Sequence, residues 1–129
     1  MKGGDRGIDG VITVAEVKNG KQNYSRVLVQ VKGGNVGSGD LRDFRGTIER
    51  EKALGGIFIT LHSATKPMLK EAVEAGTFTY ALTNQKYPTI QIITVEDLLR
   101  GVRPNLPNVV GYAKAAAASK YVSERQTLL

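Results

Sequence analysis

The fold is decided by residues 8–32, IDGVITVAEVKNGKQNYSRVLVQVK, because this stretch predicts a β-hairpin. Residues 8–18 are rich in β-branched side chains, which favour a strand. Asn19-Gly20 is a strong signal for a hairpin turn, although the loop could extend to Ser25. Residues 26–32 predict a second strand, antiparallel to the first. Its nearly continuous apolar character is typical of a central strand that is covered on both faces.

Downstream of this hairpin, signals for helices and strands alternate. A glycine-rich loop over residues 33–39 leads into a helix that starts at Ser38 or Asp40 and extends to about Ala53. Its apolar residues recur at helical spacing and predict one buried stripe, made of Leu41, Phe44 and Ile48. The following segments predict a strand over 57–61, a helix capped by Thr65, a strand over 90–94 and a short helix over 95–100.

The predicted fold class is therefore α/β. The sheet should be mixed, with an antiparallel hairpin that continues into parallel strands through right-handed crossovers, and helices should flank it. Residues 103–108, RPNLPN, predict a linker. Residues 109–125 are alanine-rich and predict a helix. We thus expect a core over residues 1–102, followed by a linker and an alanine-rich C-terminal helix over residues 103–129.

Composition narrows the possible functions of the 129-residue chain. The net charge is +6, from 18 Lys and Arg against 12 Asp and Glu, and this excess favours a polyanionic partner such as nucleic acid. Thiolate metal sites are excluded because the chain has no cysteine, and the single histidine, His62, fits a surface loop. Neither a secretory signal nor a stretch of about 20 apolar residues is present, so we expect a cytoplasmic protein without a membrane partner.

Three polar residues of the hairpin are candidates for a catalytic site. Asp9 stands at the start of the first strand, while Gln30 and Lys32 share one face near the end of the second. Antiparallel pairing brings these two strand ends together. A carboxylate can hold Mg²⁺, an amide oxygen can be a neutral ligand, and an ammonium can stabilise a pentavalent phosphate. The alternative is structural: Asp9 as a turn residue and Lys32 as a solvated strand end.

The residues also resemble a known family. GDRGIDG at 4–10, followed by VQVK at 29–32, is similar to the Mrr-like branch of the PD-(D/E)xK nuclease superfamily, in which Gln replaces the acidic residue of the ExK element. The similarity continues in order through roughly residues 3–100, including 40–53, 56–60, 65–68 and 87–88. The sequence pattern resembles nuclease-like domains that are attached to DNA methyltransferases and to restriction systems.

This resemblance implies a restriction-like endodeoxyribonuclease domain that uses Mg²⁺ or Mn²⁺. Asp9, Gln30 and the Val31 carbonyl would hold the metal, and Lys32 would be the catalytic lysine. DNA is the implied partner, with a second copy of the chain and a fused or associated methyltransferase as further candidates. The alternative is a non-catalytic DNA-binding or oligomerisation module that is derived from the same fold.

The chain departs from this family at its start. Family members normally begin with a helix that carries an acidic or amide residue near the metal, and only eight residues precede Asp9 here, so this N-terminal helix is apparently missing. Asp5 could supply a second carboxylate, or it could cap the local turn. With one carboxylate, the isolated chain is expected to cleave DNA poorly or not at all.

The predicted helix over 38–53 offers a candidate surface for DNA. Arg42, Arg45, Glu49 and Lys52 follow one another at i, i+3, i+7 and i+10, so they should share one face. The three cations of this set could contact phosphates near the end of the hairpin. Alternatively, the set is a solvated helix surface with an Arg45–Glu49 pair.

Overall fold

A computed structural model describes residues 7–114 as a five-stranded mixed sheet with helices and a second, two-stranded sheet. The elements follow in chain order: β1 Gly10–Lys18, β2 Lys21–Lys32, α1 Ser38–Glu51, β3 Gly55–Thr60, α2 Lys66–Glu74, β4 Thr77–Tyr80, β5 Gln85–Pro88, β6 Ile90–Thr94, α3 Val95–Leu99 and β7 Val109–Lys114. The large sheet has the order β6-β3-β2-β1-β7, and β4 pairs with β5. The α/β class and the mixed sheet are confirmed.

The predicted hairpin is confirmed, and its loop is short. Asn19 and Gly20 have φ angles of 53° and 75°, and positive φ at both central residues is the pattern of a type I′ turn. Strand β2 begins directly after this turn, at Lys21, so the loop does not extend to Ser25. β2 pairs antiparallel with β1 and parallel with β3, so it is the central strand that the sequence predicted.

The helices begin where the parallel strands end, and side chains cap their first turns. The Asp40 carboxylate accepts from the Gly37 N–H at 2.9 Å, and the Thr65 hydroxyl accepts from the Met68 N–H at 3.3 Å. In α3, main-chain and side-chain hydrogen bonds with Thr94 lower the pKa of Asp97. The predicted start of α2 at Thr65 is confirmed. Among residues 7–114, no helix is long and apolar enough to cross a membrane.

Alternation along the strands divides the core into two apolar clusters. On one face, the predicted stripe of α1 is buried, and the rings of Phe44 and Phe58 lie 5.6 Å apart. This helical face also buries Leu28 and, from α2, Met68. The opposite face buries Val27 and Val29 under aromatic side chains of β4 and β5, with Leu106 packed beside them. Hence β2 contributes to both clusters, as its continuous apolar run indicated.

The prediction for the C-terminal region is wrong in part. Residues Val109–Lys114 were expected to begin a helix, but they form β7, an edge strand antiparallel to β1. β-branched Val109 and Val110 and the aromatic Tyr112 suit a strand, whereas the helix was predicted from the alanines that follow. The rest of that predicted helix, residues 115–125, lies outside the described residues. The expected linker is attached to the large sheet, because the side chain of Gln91 in β6 forms two hydrogen bonds with the main chain of Asn105.

Sequence analysis assigned no element to residues 77–88, where the structure has the β4–β5 hairpin. Each strand has only four residues, too few to show a clear alternation. Phe78 and Tyr87 stack with ring centroids 5.6 Å apart, and the Tyr80 hydroxyl donates to the Ala15 carbonyl at 2.8 Å. This small sheet therefore covers the face of the large sheet that carries no long helix.

Substitution of Gly56 by alanine should destabilise the fold. A Cβ at this position of β3 would lie 2.5 Å from Cζ of Phe44 and 2.8 Å from Cδ1 of Ile48, both in the buried stripe of α1. We expect Gly56→Ala to lower the free energy of unfolding by about 1–3 kcal/mol in urea denaturation. Gly34→Ala is the matched control, because nothing lies within 4 Å of its Cβ position. Equal stability of the two variants would contradict this packing.

Candidate functional site

The structure places Asp9, Gln30 and Lys32 at the same end of the sheet. Asp9 directly precedes β1, whose first residue, Gly10, is opposite Val29. Lys32 is the last residue of β2 and is opposite Thr60 of β3. By strand alternation, Gln30 and Lys32 share the helical face with Leu28. Val31 points to the opposite face and is 49% exposed.

The carboxylate of Asp9 is hydrogen-bonded to the main chain of β2. The Val31 N–H donates to Oδ2 of Asp9 at 2.7 Å, and the Asp9 N–H donates to the Val29 carbonyl at 2.7 Å. The last residue pair of the two strands is Gly10 and Val29. The Asp9 side chain thus accepts a hydrogen bond from an N–H that lies just beyond this pair. Asp9 is the only candidate carboxylate among the described residues. One of its oxygens therefore already accepts a hydrogen bond, at the open end of the hairpin.

The amide of Gln30 lies against the chain that leads into β1. Gly7 has a φ angle of +85°, and a Cβ there would fall 2.5 Å from Nε2 of Gln30. Glycine suits position 7 because of this backbone conformation, and its lack of a Cβ lets the amide of Gln30 lie close to the main chain. Gln30, half-buried, is thus covered on one side by the segment that carries Asp9.

The three candidate cations of α1 differ in their acidic neighbours. Arg42 lies 3.2 Å from the Glu71 carboxylate, and Arg45 lies 3.9 Å from that of Glu49. α1 begins at the Asp9 end of the sheet and runs to the other end. Ten residues at about 1.5 Å each separate Arg42 from Lys52 by about 15 Å. Lys52 ends the helix in a left-handed conformation, φ 56°, and its side chain is exposed.

Within residues 7–114, the donors at the Asp9 end fall short of the oxygen shell that Mg²⁺ prefers. Mg²⁺ prefers a nearly octahedral shell of oxygens, with one or two carboxylates among them. Residues 7–114 contain no group of three or more Asp, Glu, His or Cys side chains that could hold a metal ion. Here Asp9 already accepts an N–H, and the Gln30 amide packs on Gly7. Asp5, the other candidate, lies outside the described residues.

A family model described as NACHT-associated inactive restriction endonuclease 1 matches residues 1–100. The chain belongs to this family. The family name agrees with the restriction-endonuclease-like fold that the sequence predicted and that the mixed sheet shows. Neither the comparison with curated proteins nor that with solved structures found a match.

In this member of the NACHT-associated inactive restriction endonuclease 1 family, β7 brings two polar side chains to the Asp9 end, on the sheet face opposite to Gln30 and Lys32. Tyr112 lies over Gly10: a Cβ there would fall 2.6 Å from Cε1 of its ring. Lys114 is opposite Gly10. Tyr112 is 53% exposed. Sequence analysis missed both residues because it assigned them to a helix; the Val109-Val110 pair was the signal for a strand.

Replacement of Asp9 should reveal its structural contact. Asp9→Ala removes the acceptor of the Val31 N–H, so we expect a loss of about 1 kcal/mol in the free energy of unfolding. The Val31 amide should also exchange its hydrogen faster. Asp9→Asn retains an oxygen acceptor and should lose less than about half as much. Asp43→Ala, which removes an exposed carboxylate from α1, controls for the change in charge; an identical effect of all three substitutions would contradict the assignment.

Proposed function

We propose that the chain is a non-catalytic, DNA-binding module with a restriction-endonuclease-like fold. The observation that carries this proposal is the hydrogen bond between Oδ2 of Asp9 and the Val31 N–H, 2.7 Å long. The carboxylate that the nuclease resemblance assigns to the metal here accepts a main-chain N–H at the end of the hairpin. The word "inactive" in the family's description supports the same conclusion.

A module that binds no metal cannot hydrolyse a phosphodiester by the metal-assisted route, but its cations still attract phosphate. In metal-assisted hydrolysis the ion lowers the pKa of an attacking water and stabilises the oxygens of the reacting phosphate. Lys32 alone can attract a phosphate oxygen, but an ammonium does not generate hydroxide from water at neutral pH. A domain that has Lys32 but lacks the oxygen ligands for a metal ion therefore binds a phosphodiester and does not cleave it.

The excess of positive charge supports DNA as the partner. The net charge of the chain is +6, and binding by a cationic surface comes chiefly from the release of counterions from DNA. Among the three cations predicted on α1, Lys52 is the best placed, since no carboxylate lies within ion-pair distance of it in the described part of the chain. Arg42 and Arg45 each have a carboxylate neighbour, which weakens their attraction for phosphate.

The proposed partner module is a NACHT domain. The family's description names this association. A NACHT domain therefore replaces the DNA methyltransferase that the sequence resemblance suggested as the partner. Membership in the Mrr branch and formation of a homodimer stay predictions, as does a cytoplasmic location. A module of this kind would contribute DNA recognition to a larger assembly, while another domain supplies any catalytic activity.

We predict that the chain does not cleave DNA. Supercoiled plasmid incubated with the protein and Mg²⁺ or Mn²⁺ should stay supercoiled, and Lys32→Ala should give the same result as the unchanged protein. The reason is the incomplete oxygen shell around Asp9. Nicking that requires the metal and disappears in Lys32→Ala would contradict the proposal and would favour the endonuclease expected from the resemblance.

Binding to duplex DNA should be weak and should depend steeply on salt. With about three phosphate contacts, the slope of log K against log salt is about −2.7, so affinity falls about 40-fold between about 50 and 200 mM salt. Fluorescence anisotropy of a labelled duplex measures this slope. Absence of binding at low salt, or affinity that does not change with salt, would exclude the DNA-binding role.

A further inference from the structure

The tip of the β1–β2 hairpin extends beyond the rest of the sheet. β3 pairs with β2 only over residues 27–32, and β7 pairs with β1 only over residues 10–14. Residues 15–18 and 21–24 therefore pair only with each other among the described strands. Every residue from 17 to 23 is exposed, and we call residues 17–23 the hairpin tip.

The hairpin tip carries an unbalanced positive charge. Lys18 and Lys21 are directly opposite each other across the turn, and neither forms an ion pair within residues 7–114. Like charges at opposite positions destabilise a hairpin, so this pair works against the local structure. No acidic residue occurs from position 17 to 26. The nearest, Glu16, is buried and accepts a hydrogen bond from the Ser25 hydroxyl, so it does not offset these charges at the surface.

The dimensions of the hairpin tip suit the major groove of B-form DNA. From residue 17 to the turn at Asn19 the strands advance about 7 Å, at about 3.4 Å per residue. The major groove is about 8.5 Å deep and about 12 Å wide, and it admits a two-stranded ribbon. The tip also exposes the amides of Asn19 and Gln22, which can both donate to and accept from base edges.

We propose that the hairpin tip inserts into the major groove of duplex DNA, with Lys18 and Lys21 on the flanking phosphates. This inference rests on the proposed DNA-binding function and assigns its surface. Lys52 lies at the same end of the sheet, since the Leu54 N–H, two residues later, donates to the Arg26 carbonyl of β2 at 2.8 Å. Eight residues of β1 place this surface about 27 Å from the Asp9 end, at about 3.4 Å each.

The test compares two double variants with the same change in net charge. Lys18→Gln/Lys21→Gln changes the hairpin tip, whereas Lys70→Gln/Lys86→Gln changes two exposed lysines of α2 and β5. Removal of two phosphate contacts should make the salt slope for duplex DNA less negative by about 1.8. The same variant should have an unchanged or higher midpoint of thermal unfolding, because the like-charged pair is gone. The control should leave the slope of the unchanged protein nearly intact.

The outcomes distinguish an error in the proposed DNA-binding surface from an error in the proposed DNA-binding function. If the unchanged protein binds DNA and both double variants weaken binding equally, only the total charge matters and the hairpin tip is not the surface. If the unchanged protein does not bind DNA at all, the proposed function fails and this inference fails with it. A duplex RNA of equal length is the second arm, because its major groove is too narrow for side chains to reach. RNA binding as tight, and as sensitive to the tip substitutions, would overturn insertion into the groove.

Discussion

The pairing of β2 on both of its edges is the constraint on which the rest of the structure depends. β1 takes one edge in antiparallel register and β3 takes the other in parallel register, so β2 lies in the middle of the five-stranded sheet. Alternating side chains of one strand then serve both apolar clusters. A shift of β2 by one residue would exchange the two faces and place Leu28 where Val27 and Val29 now pack.

The same pairing explains the state of the candidate site. Where β1 ends its ladder with β2, the Val31 N–H lacks a main-chain partner in β1, and the Asp9 carboxylate accepts it. An exposed N–H could instead bond water, so this contact is worth only about 1 kcal/mol, yet it sets the position of Asp9. A metal-dependent nuclease needs further oxygen ligands beside this carboxylate. At this end of the hairpin, the acidic residue that the resemblance assigns to a metal therefore makes a structural contact.

The sequence predicts the parts of the fold that local chemistry determines. The Asn19-Gly20 turn, the Thr65 cap and the buried stripe of α1 each follow from a few neighbouring residues, and each is confirmed. β7 was mistaken for a helix because its identity depends on pairing with β1, about 100 residues earlier in the chain. For the site, strand parity predicts that Asp9 and Gln30 approach each other. It does not reveal that Asp9 bonds Val31, or that Gly7 packs on Gln30, because both contacts arise from irregular chain before β1.

Charge distribution along the sheet connects these observations to function. At the Asp9 end, the carboxylates of Asp9, Asp40 and Asp97 accept main-chain N–H groups, so acidic side chains there hold strand and helix ends in place. At the hairpin end, Lys18 is opposite Lys21, and neither lysine forms an ion pair within residues 7–114. A like-charged pair that weakens the hairpin and forms no ion pair within residues 7–114 is not explained by the stability of the fold. With Lys52, these lysines place three cations that form no ion pair in the described part of the chain at the hairpin end, where they are available to a polyanion.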